Sequence, residues 1–329
     1  MTNLLDVSNL RISFPAAAGR VAPVDGVSFG IARGETLALV GESGSGKSLT
    51  SLALLQLLPE AGRIEPGSTA RLGDLDLLAL RGEALRQVRG RRIGMVFQDP
   101  AASLNPVLTI GDQISETIRA HFPLSSREAR DRTENLLAEV GLRDGTARYG
   151  SYPHQLSGGM RQRVMIAIAL AAKPELLIAD EPTSALDVTV QAQILALLDR
   201  LKQAHGMAML LITHDLGVVA GRADRVAVMY AGQIVEEAPT TRLFSRPAHP
   251  YTCGLLASLP RLHGPKQPLV AIAGTVPVPG EWPAGCRFHP RCPQVMPICT
   301  TEPPVVSLAD EQTMRCWLGQ PAASAGERR

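Results

Sequence analysis

One eight-residue segment, GESGSGKS at residues 41–48, most limits what this chain can fold into. It follows the apolar run ETLALVG, which predicts a buried strand, and it opens the predicted helix KSLTSLALLQLL. Glycines at positions 41, 44 and 46 let the backbone turn tightly, so its N–H groups can face an anion at a helix N-terminus. Strand, glycine-rich loop and helix in this order predict an α/β fold with a phosphate-binding loop.

Other segments agree with an α/β fold. Further apolar runs, separated by amphipathic stretches, predict buried strands at 92–98, 175–180 and 207–214. Residues 188–203 have helical periodicity, and the apolar side chains that share one face are Ile194, Leu197, Leu198 and Leu201. The alternation predicts a largely parallel sheet. Because 111–149 carries no strand-like run, we expect a helical subdomain over about 100–160.

Size and composition bound the organisation. A chain of 329 residues, 45% of them hydrophobic, buries a full core without cross-links. Its formal charge of +2 gives no bulk electrostatic reason to bind nucleic acid or anionic lipid. Prolines become frequent after about residue 244. We therefore predict a nucleotide-binding domain at 1–245, a C-terminal extension at 246–319 and a disordered tail at 320–329.

The sequence also predicts a cellular compartment. The first thirty residues contain no basic leader followed by an apolar stretch and a cleavage site. The longest apolar run, 164–172, is less than half of the ~20 residues that a membrane-spanning helix needs. We expect a cytoplasmic chain in a reducing compartment, where stable disulfides are not expected.

Residues suited to bind a nucleotide and its metal ion lie at the end of the glycine-rich loop and further along the chain. Lys47 can reach the terminal phosphates of a nucleotide, and the Ser48 hydroxyl can ligate Mg²⁺. The run LLIADE at 176–181 ends in two carboxylates. Beside a phosphate loop, Asp180 would hold Mg²⁺ through its water shell and Glu181 would polarise the attacking water.

A second anion-binding helix start is predicted at LSGGMRQR, residues 156–163. Ser157 is suited to cap the helix, and Gly158 and Gly159 leave the backbone bare for a close approach of phosphate. One ATP molecule needs only the first loop, so the second start serves another nucleotide or another subunit.

This ordered set resembles the nucleotide-binding subunit of an ATP-binding cassette (ABC) transporter. The resemblance covers about 4–244 and matches Gln98 to the Q-loop, 156–162 to the signature, Asp187 to the D-loop and His214 to the switch histidine. It implies that Glu181, His214 and Gln98 act in catalysis. It implies magnesium contacts from Ser48, Gln98 and Asp180. The nucleotide contacts that it implies are Phe14, Gly41, Glu42, Ser43, Gly44, Ser45, Gly46, Lys47, Ser48, Ser157, Gly158, Gly159 and Asp187. Phe14 would cover the adenine; Phe29 or core packing are its alternatives.

The resemblance extends to a branch of the family. Segments 97–114 and 156–170, with HPYT at 249–252, are similar to D-type ATPases of dipeptide and oligopeptide permeases. That similarity implies an ATPase heterodimer with an F-type subunit, two membrane permease subunits and an extracytoplasmic binding protein, at the cytoplasmic face of the inner membrane. Nickel-chelate or glutathione import is an alternative, and a soluble ABC ATPase is the rival class.

Four of the five cysteines lie in the extension, at Cys286, Cys292, Cys299 and Cys316. Their spacing lacks the paired C-x-x-C of structural zinc sites, although thiolates suit zinc or an iron–sulfur cluster. The resembled branch implies a 4Fe-4S cluster; zinc, unliganded thiols and a redox-sensing role stay open. We expect Cys253 in the core, and His289 is a possible replacement ligand.

Overall fold

The structure, a computed structural model, describes residues 3–17, 19–142, 148–184, 186–259 and 271–320. Contacts divide the chain into two compact units. The first comprises Met1–Leu4, Ile31–Glu35 and Leu72–Ile212, and the second comprises Leu5–Gly30, Thr36–Arg71 and Thr213–Arg329. The extension predicted at 246–319 falls in the second unit, together with the glycine-rich loop. Nearly all of the predicted tail, 321–329, lies outside the described residues.

The strands are β1 Asn3–Ala16, β2 Gly19–Ala32, β3 Thr36–Val40, β4 Arg63–Ile64, β5 Thr69–Leu72, β6 Leu75–Asp76, β7 Ile93–Val96, β8 Leu176–Asp180, β9 Ala208–Thr213, β10 Arg225–Tyr230, β11 Gln233–Pro239, β12 Val305–Ser307 and β13 Thr313–Arg315. The helices are α1 Lys47–Leu54, α2 Gly82–Val88, α3 Pro100–Ser103, α4 Ile110–His121, α5 Ser126–Glu139, α6 Gly158–Leu170, α7 Val188–His205, α8 Leu216–Val219, α9 Thr240–Ser245 and α10 Pro250–Ala257. Within the described ranges, no helix is long and apolar enough to cross a membrane.

In the first unit, strands β7, β8 and β9 run parallel to one another. Strand β8 pairs with β7 on one side and with β9 on the other. Every residue of β7 and β8 is buried, as expected for parallel strands covered on both faces. The four apolar residues predicted to share one face of α7 are all buried. The predicted strands at 92–98, 175–180 and 207–214 and the predicted helix are therefore confirmed.

The helical segment of the first unit has strong start signals. Thr109 caps α4 by accepting a hydrogen bond from the Asp112 N–H, and Ser125 and Glu128 form a capping box at α5. In the described parts of 111–149, the chain forms helices and turns without a strand, as predicted. Helices α4 and α5 pack on each other and on α6.

The second unit contains two sheets. In one, β1 lies between β2 and β5, and β4 pairs antiparallel with β1. In the other, β3 runs parallel to β10, and β10 pairs antiparallel with β11. All five residues of β3 are buried, and the glycine-rich loop begins directly after its last residue. The strand predicted before that loop is confirmed.

The extension adds strands that the sequence did not predict. Strands β12 and β13 form a hairpin, and β13 pairs with β11 so that Met314 lies opposite Glu236. Three residues are too few to show an alternating pattern, which is why the sequence predicted little strand there. Buried Glu236 also accepts hydrogen bonds from the N–H groups of Ala248 and His249, which fixes the start of the extension.

An aromatic cluster joins the extension to β10. Tyr230 from β10, Tyr251 from α10 and Phe288 are buried, with ring centroids 4.6 to 5.3 Å apart. Such rings bury large apolar areas and pack with defined geometry. Cys253, expected in the core, is exposed instead, because it lies on the opposite side of α10 from the buried residues Pro250, Tyr251 and Thr252.

Candidate nucleotide-binding site

Residues 41–48, here called the phosphate loop, have the backbone that phosphate binding requires. Gly41, Gly44 and Gly46 have φ of +153°, +81° and +104°, a region that side chains disfavour. A Cβ at Gly41 would lie 2.1 Å from the Met229 carbonyl oxygen, and one at Gly46 would lie 2.7 Å from the Pro23 carbonyl oxygen. Conformation therefore favours glycine at all three positions, and space requires it at Gly41 and Gly46.

Lys47 is the first residue of α1 and is almost fully buried. Its Nζ donates hydrogen bonds to the carbonyl oxygens of Gly41 at 2.7 Å and Glu42 at 2.9 Å. The ammonium group is thus held over the loop by the loop's own backbone. A positive charge and a helix N-terminus at one place make a site for the phosphates of a nucleotide.

Two side chains of the extension contact the phosphate loop at Glu42. The Glu42 N–H donates to the Tyr251 hydroxyl at 3.0 Å. The Arg291 guanidinium donates to both carboxylate oxygens of Glu42, at 2.8 and 3.0 Å. The sequence analysis missed both contacts, because partners 209 and 249 residues apart leave no local pattern. The HPYT segment, which includes Tyr251, was its only signal.

The two consecutive carboxylates lie at the end of β8 in the first unit. Asp180 is buried, and Glu181 adopts the left-handed region with φ of +44°, uncommon for a residue other than glycine. The Gln98 side-chain amide donates to the Glu181 carboxylate at 3.4 Å. The Ser184 hydroxyl lies within hydrogen-bonding distance of the carbonyl oxygens of Gln98 and Glu181. The structure thus brings together two residues that the resemblance assigned to catalysis.

Ser157 caps α6 as predicted, accepting a hydrogen bond from the Met160 N–H at 3.4 Å. Ser157 and Gly158 are exposed. A Cβ at Gly159 would lie 2.6 Å from the Val190 side chain, so this glycine is required by packing against α7. An open, capped helix start can receive an anion.

Three other residues predicted to contact ATP or to act in its hydrolysis are Asp187, His214 and Phe14. Asp187 caps α7 through the Val190 N–H, and His214 is exposed directly after β9. Phe14 is half-buried on β1, where a Cβ on Gly62 would lie 2.9 Å from its ring. Its alternative, Phe29, is buried. The assignments of these residues to ATP stay predictions.

The four cysteines of the extension line one small cavity, together with His249 and His289. Burial raises the pKa of Cys286 to about 11 and raises the pKa of Cys292 and Cys316. In the part of the chain that the structure describes, no group of three or more His, Cys, Asp or Glu side chains is arranged to hold a metal ion. The donor chemistry suits a cluster, whereas the arrangement does not form a metal site.

Comparison with protein families gives two matches. Residues 24–184 match the ABC transporter family, and residues 235–299 match the C-terminal region of oligopeptide and dipeptide transporters. The chain is 50% identical to the oligopeptide transport ATP-binding protein AppD of Bacillus subtilis over 97% of each chain. It is 51% identical to a putative peptide import ATP-binding protein of Brucella abortus, over 95% of this chain and 94% of the relative.

Solved structures agree with these matches. The ATP-binding cassette MJ0796, in a dimeric post-hydrolysis state bound to ADP and phosphate, is 28% identical with a TM-score of 0.64, over 72% of this chain and 98% of that one. The structure of cbiO1 from Clostridium perfringens, part of an ABC transporter complex, is 26% identical with a TM-score of 0.64, over 75% and 92%. The chain therefore belongs to the ABC transporter family, as an ATP-hydrolysing cassette that carries the C-terminal region of oligopeptide and dipeptide transporters.

Proposed function

We propose that this protein is the ATPase subunit of a peptide importer, which uses ATP binding and hydrolysis to move two membrane permease subunits. The single observation that carries the proposal is the joint presence of a phosphate loop with three positive-φ glycines and the peptide-transporter C-terminal region. Relatives about 50% identical over nearly the whole chain are described as oligopeptide transport and peptide import proteins. This similarity supports peptides over nickel chelates or glutathione as cargo.

The phosphate loop binds the nucleotide in this proposal. Its backbone N–H groups and Lys47 hold the phosphates, and Lys47 exchanges carbonyl partners for phosphate oxygens as the nucleotide enters. Ser48, Asp180 and Gln98 would hold the magnesium ion, which neutralises charge on the γ-phosphate. Phe14 contacts the adenine face.

Hydrolysis is assigned to Glu181, Gln98 and His214. Glu181 polarises the attacking water, and Gln98, which donates to the Glu181 carboxylate, keeps that carboxylate oriented. His214 contacts the γ-phosphate. Because phosphoryl transfer depends mainly on positioning and electrostatics, these residues need no covalent intermediate.

The second anion site is assigned to a partner ATPase. Ser157, Gly158, Gly159 and Asp187 would face a nucleotide held by an F-type subunit, and the two subunits would close on each other. The exposed, capped start of α6 supports this role. An extracytoplasmic binding protein completes the proposed importer, with this subunit at the cytoplasmic face of the inner membrane.

We propose that Cys286, Cys292, Cys299 and Cys316 hold a 4Fe-4S cluster, because the four thiols have the donor chemistry and line one cavity. The described side chains are not arranged to hold a metal ion, so in this proposal the thiols draw together when the cluster binds. No catalytic step depends on it. Anaerobic purification followed by iron and sulfide analysis tests the proposal: about four irons per chain are expected, and fewer after Cys286→Ser. Protein that contains zinc or no metal would contradict it.

Purification from the native membrane tests the transport proposal. The tagged chain is expected to bring down two permease subunits and a second ATPase in detergent. Recovery with ribosomal or DNA-repair proteins alone would favour the soluble class of ABC ATPases. Peptide-stimulated hydrolysis by the recovered complex, with nickel chelates and glutathione as comparison ligands, tests the cargo.

A further inference from the structure

We infer that Arg291 and Tyr251, both from the C-terminal extension, are positioning residues that hold the phosphate loop at Glu42 in the conformation that receives nucleotide. The inference rests on the proposed nucleotide site and goes beyond it, since it makes the extension a working part of that site. All residues concerned belong to the second unit. Neither residue touches the nucleotide in this account; both act through the loop.

Arg291 is built into its place. It ends the 3-10 turn His289–Arg291, and its side chain is only 6% exposed. Besides the two bonds to Glu42, the guanidinium donates to the carbonyl oxygens of Ala273 at 2.8 Å and Gly274 at 3.3 Å, and to the Tyr230 hydroxyl at 3.3 Å. A planar guanidinium with five donors suits this set, and a lysine ammonium could not reproduce its paired contact with the carboxylate.

Tyr251 and Lys47 hold opposite ends of one peptide group. The N–H of Glu42 donates to the Tyr251 hydroxyl, and the C=O of Gly41 accepts from Lys47 Nζ at 2.7 Å. The C=O and N–H of a trans peptide are fixed in one plane and point in opposite directions. Tyr251 therefore sets the orientation of the carbonyl that steers Lys47.

The contact has an energetic consequence for ATP binding. Three glycines give the free loop many conformations, and ordering them costs conformational entropy when a ligand binds. Contacts from the buried side chains of Tyr251 and Arg291 order the loop before nucleotide binds, which reduces the entropy lost on binding. Because the loop holds phosphates in the ground state and the transition state alike, loss of these contacts should weaken binding and leave kcat nearly unchanged.

The test compares variants of the full chain by Mg-ATP titration and steady-state hydrolysis. Tyr251→Phe keeps the buried ring and removes the acceptor, and we expect the Kd for Mg-ATP to rise about fivefold. Arg291→Gln should raise Kd about tenfold and Arg291→Lys by a smaller factor, with kcat within about twofold of wild type. The double variant Glu42→Gln/Arg291→Gln should raise the Kd for Mg-ATP by less than the product of the two single-variant factors, because both substitutions remove the same ion pair.

Arg315→Gln is the matched control. Arg315 lies in the extension, where it pairs with Glu302 at 3.3 Å. The Arg315→Gln variant should bind Mg-ATP with the wild-type Kd. The inference is overturned if Tyr251→Phe and Arg291→Lys, with wild-type unfolding midpoints, also keep the wild-type Kd, or if Arg315→Gln raises Kd as much as Arg291→Gln. Wild-type protein without affinity for Mg-ATP would instead overturn the proposed nucleotide site.

Discussion

At the scale of single residues, the site depends on backbone groups held in unusual conformations. Glu181 has φ of +44° and a buried neighbour, Asp180, and its carboxylate is held by the Gln98 amide. Strain of this kind persists where surrounding contacts enforce it and is frequent at functional sites. The contact from Gln98 would orient the carboxylate for its proposed role of polarising water.

Replacing Glu181 tests that role. Glu181→Gln keeps the shape and the Gln98 neighbour and removes the basic oxygen, so we expect hydrolysis to fall at least about 100-fold while Kd for Mg-ATP stays near wild type. Glu83→Gln, an exposed carboxylate on α2 paired with Arg86, is the matched control and should hydrolyse normally. Undiminished hydrolysis by Glu181→Gln would remove the assigned role.

Part of this backbone conformation could be predicted, because the motifs are local. The phosphate loop and the capped start at Ser157 are contiguous segments whose residue types imply their conformation, whereas nothing in the sequence indicated the positive φ of Glu181. The links to Tyr251 and Arg291 could not be predicted, since they depend on where the extension folds. The exposed position of Cys253 was likewise a matter of helix orientation, which one short apolar segment does not determine.

At the scale of elements, helix α6 lies directly against strand β7. A Cβ at Gly94 in β7 would lie 2.4 Å from the Ala169 carbonyl oxygen of α6, a contact with backbone that cannot move aside cheaply. This contact matters for function because α6 begins at the proposed second anion site. The strand and the helix were predictable separately, but their close approach was not.

Gly94→Ala tests this packing. Overlap with the helix backbone should lower the free energy of unfolding by about 1–3 kcal/mol. Gly150→Ala is the control, because an added Cβ there meets nothing within 4 Å. Urea unfolding of both variants measures the difference. Equal stability of the two variants would show that α6 does not lie this close to β7.

His121, the last residue of α4, is expected to make the stability of the protein depend on pH. Burial, and then the positive charges of Arg86 and Arg91, lower the pKa of His121 from 6.5, while Glu83 opposes them. In the unfolded chain the imidazole therefore takes up its proton first as the pH falls. The contribution of neutral His121 to the free energy of unfolding is therefore complete above about pH 6.5, and it is lost as the pH falls below that value.

His121→Gln should reduce this loss. Urea midpoints measured between pH 7.5 and about 5 are expected to fall less steeply for the variant than for wild type, by a modest amount because the imidazole is partly exposed. Gly150→Ala, which changes no titratable group and adds a Cβ that meets nothing within 4 Å, should follow the wild-type curve. Parallel curves for wild type and His121→Gln would contradict the assignment.

At the scale of the whole molecule, the C-terminal region is structurally continuous with the nucleotide-binding part of the second unit. Strand β13 extends the sheet of β3 and β10 through β11, and the aromatic cluster joins β10 to the extension. The sequence indicated a boundary near residue 245 from proline content alone. Composition reports a change of local structure, and it does not report which surface the following segment packs on.

The most direct test of the account is Mg-ATP binding by the full chain, measured by calorimetric titration of wild type and Lys47→Ala. Saturable binding by wild type with about one site per chain is expected, and Lys47→Ala should weaken it at least about tenfold, because the buried ammonium supplies charge that the loop amides lack. Absence of saturable binding by wild type, or equal binding by Lys47→Ala, would contradict the central claim that the phosphate loop holds the nucleotide.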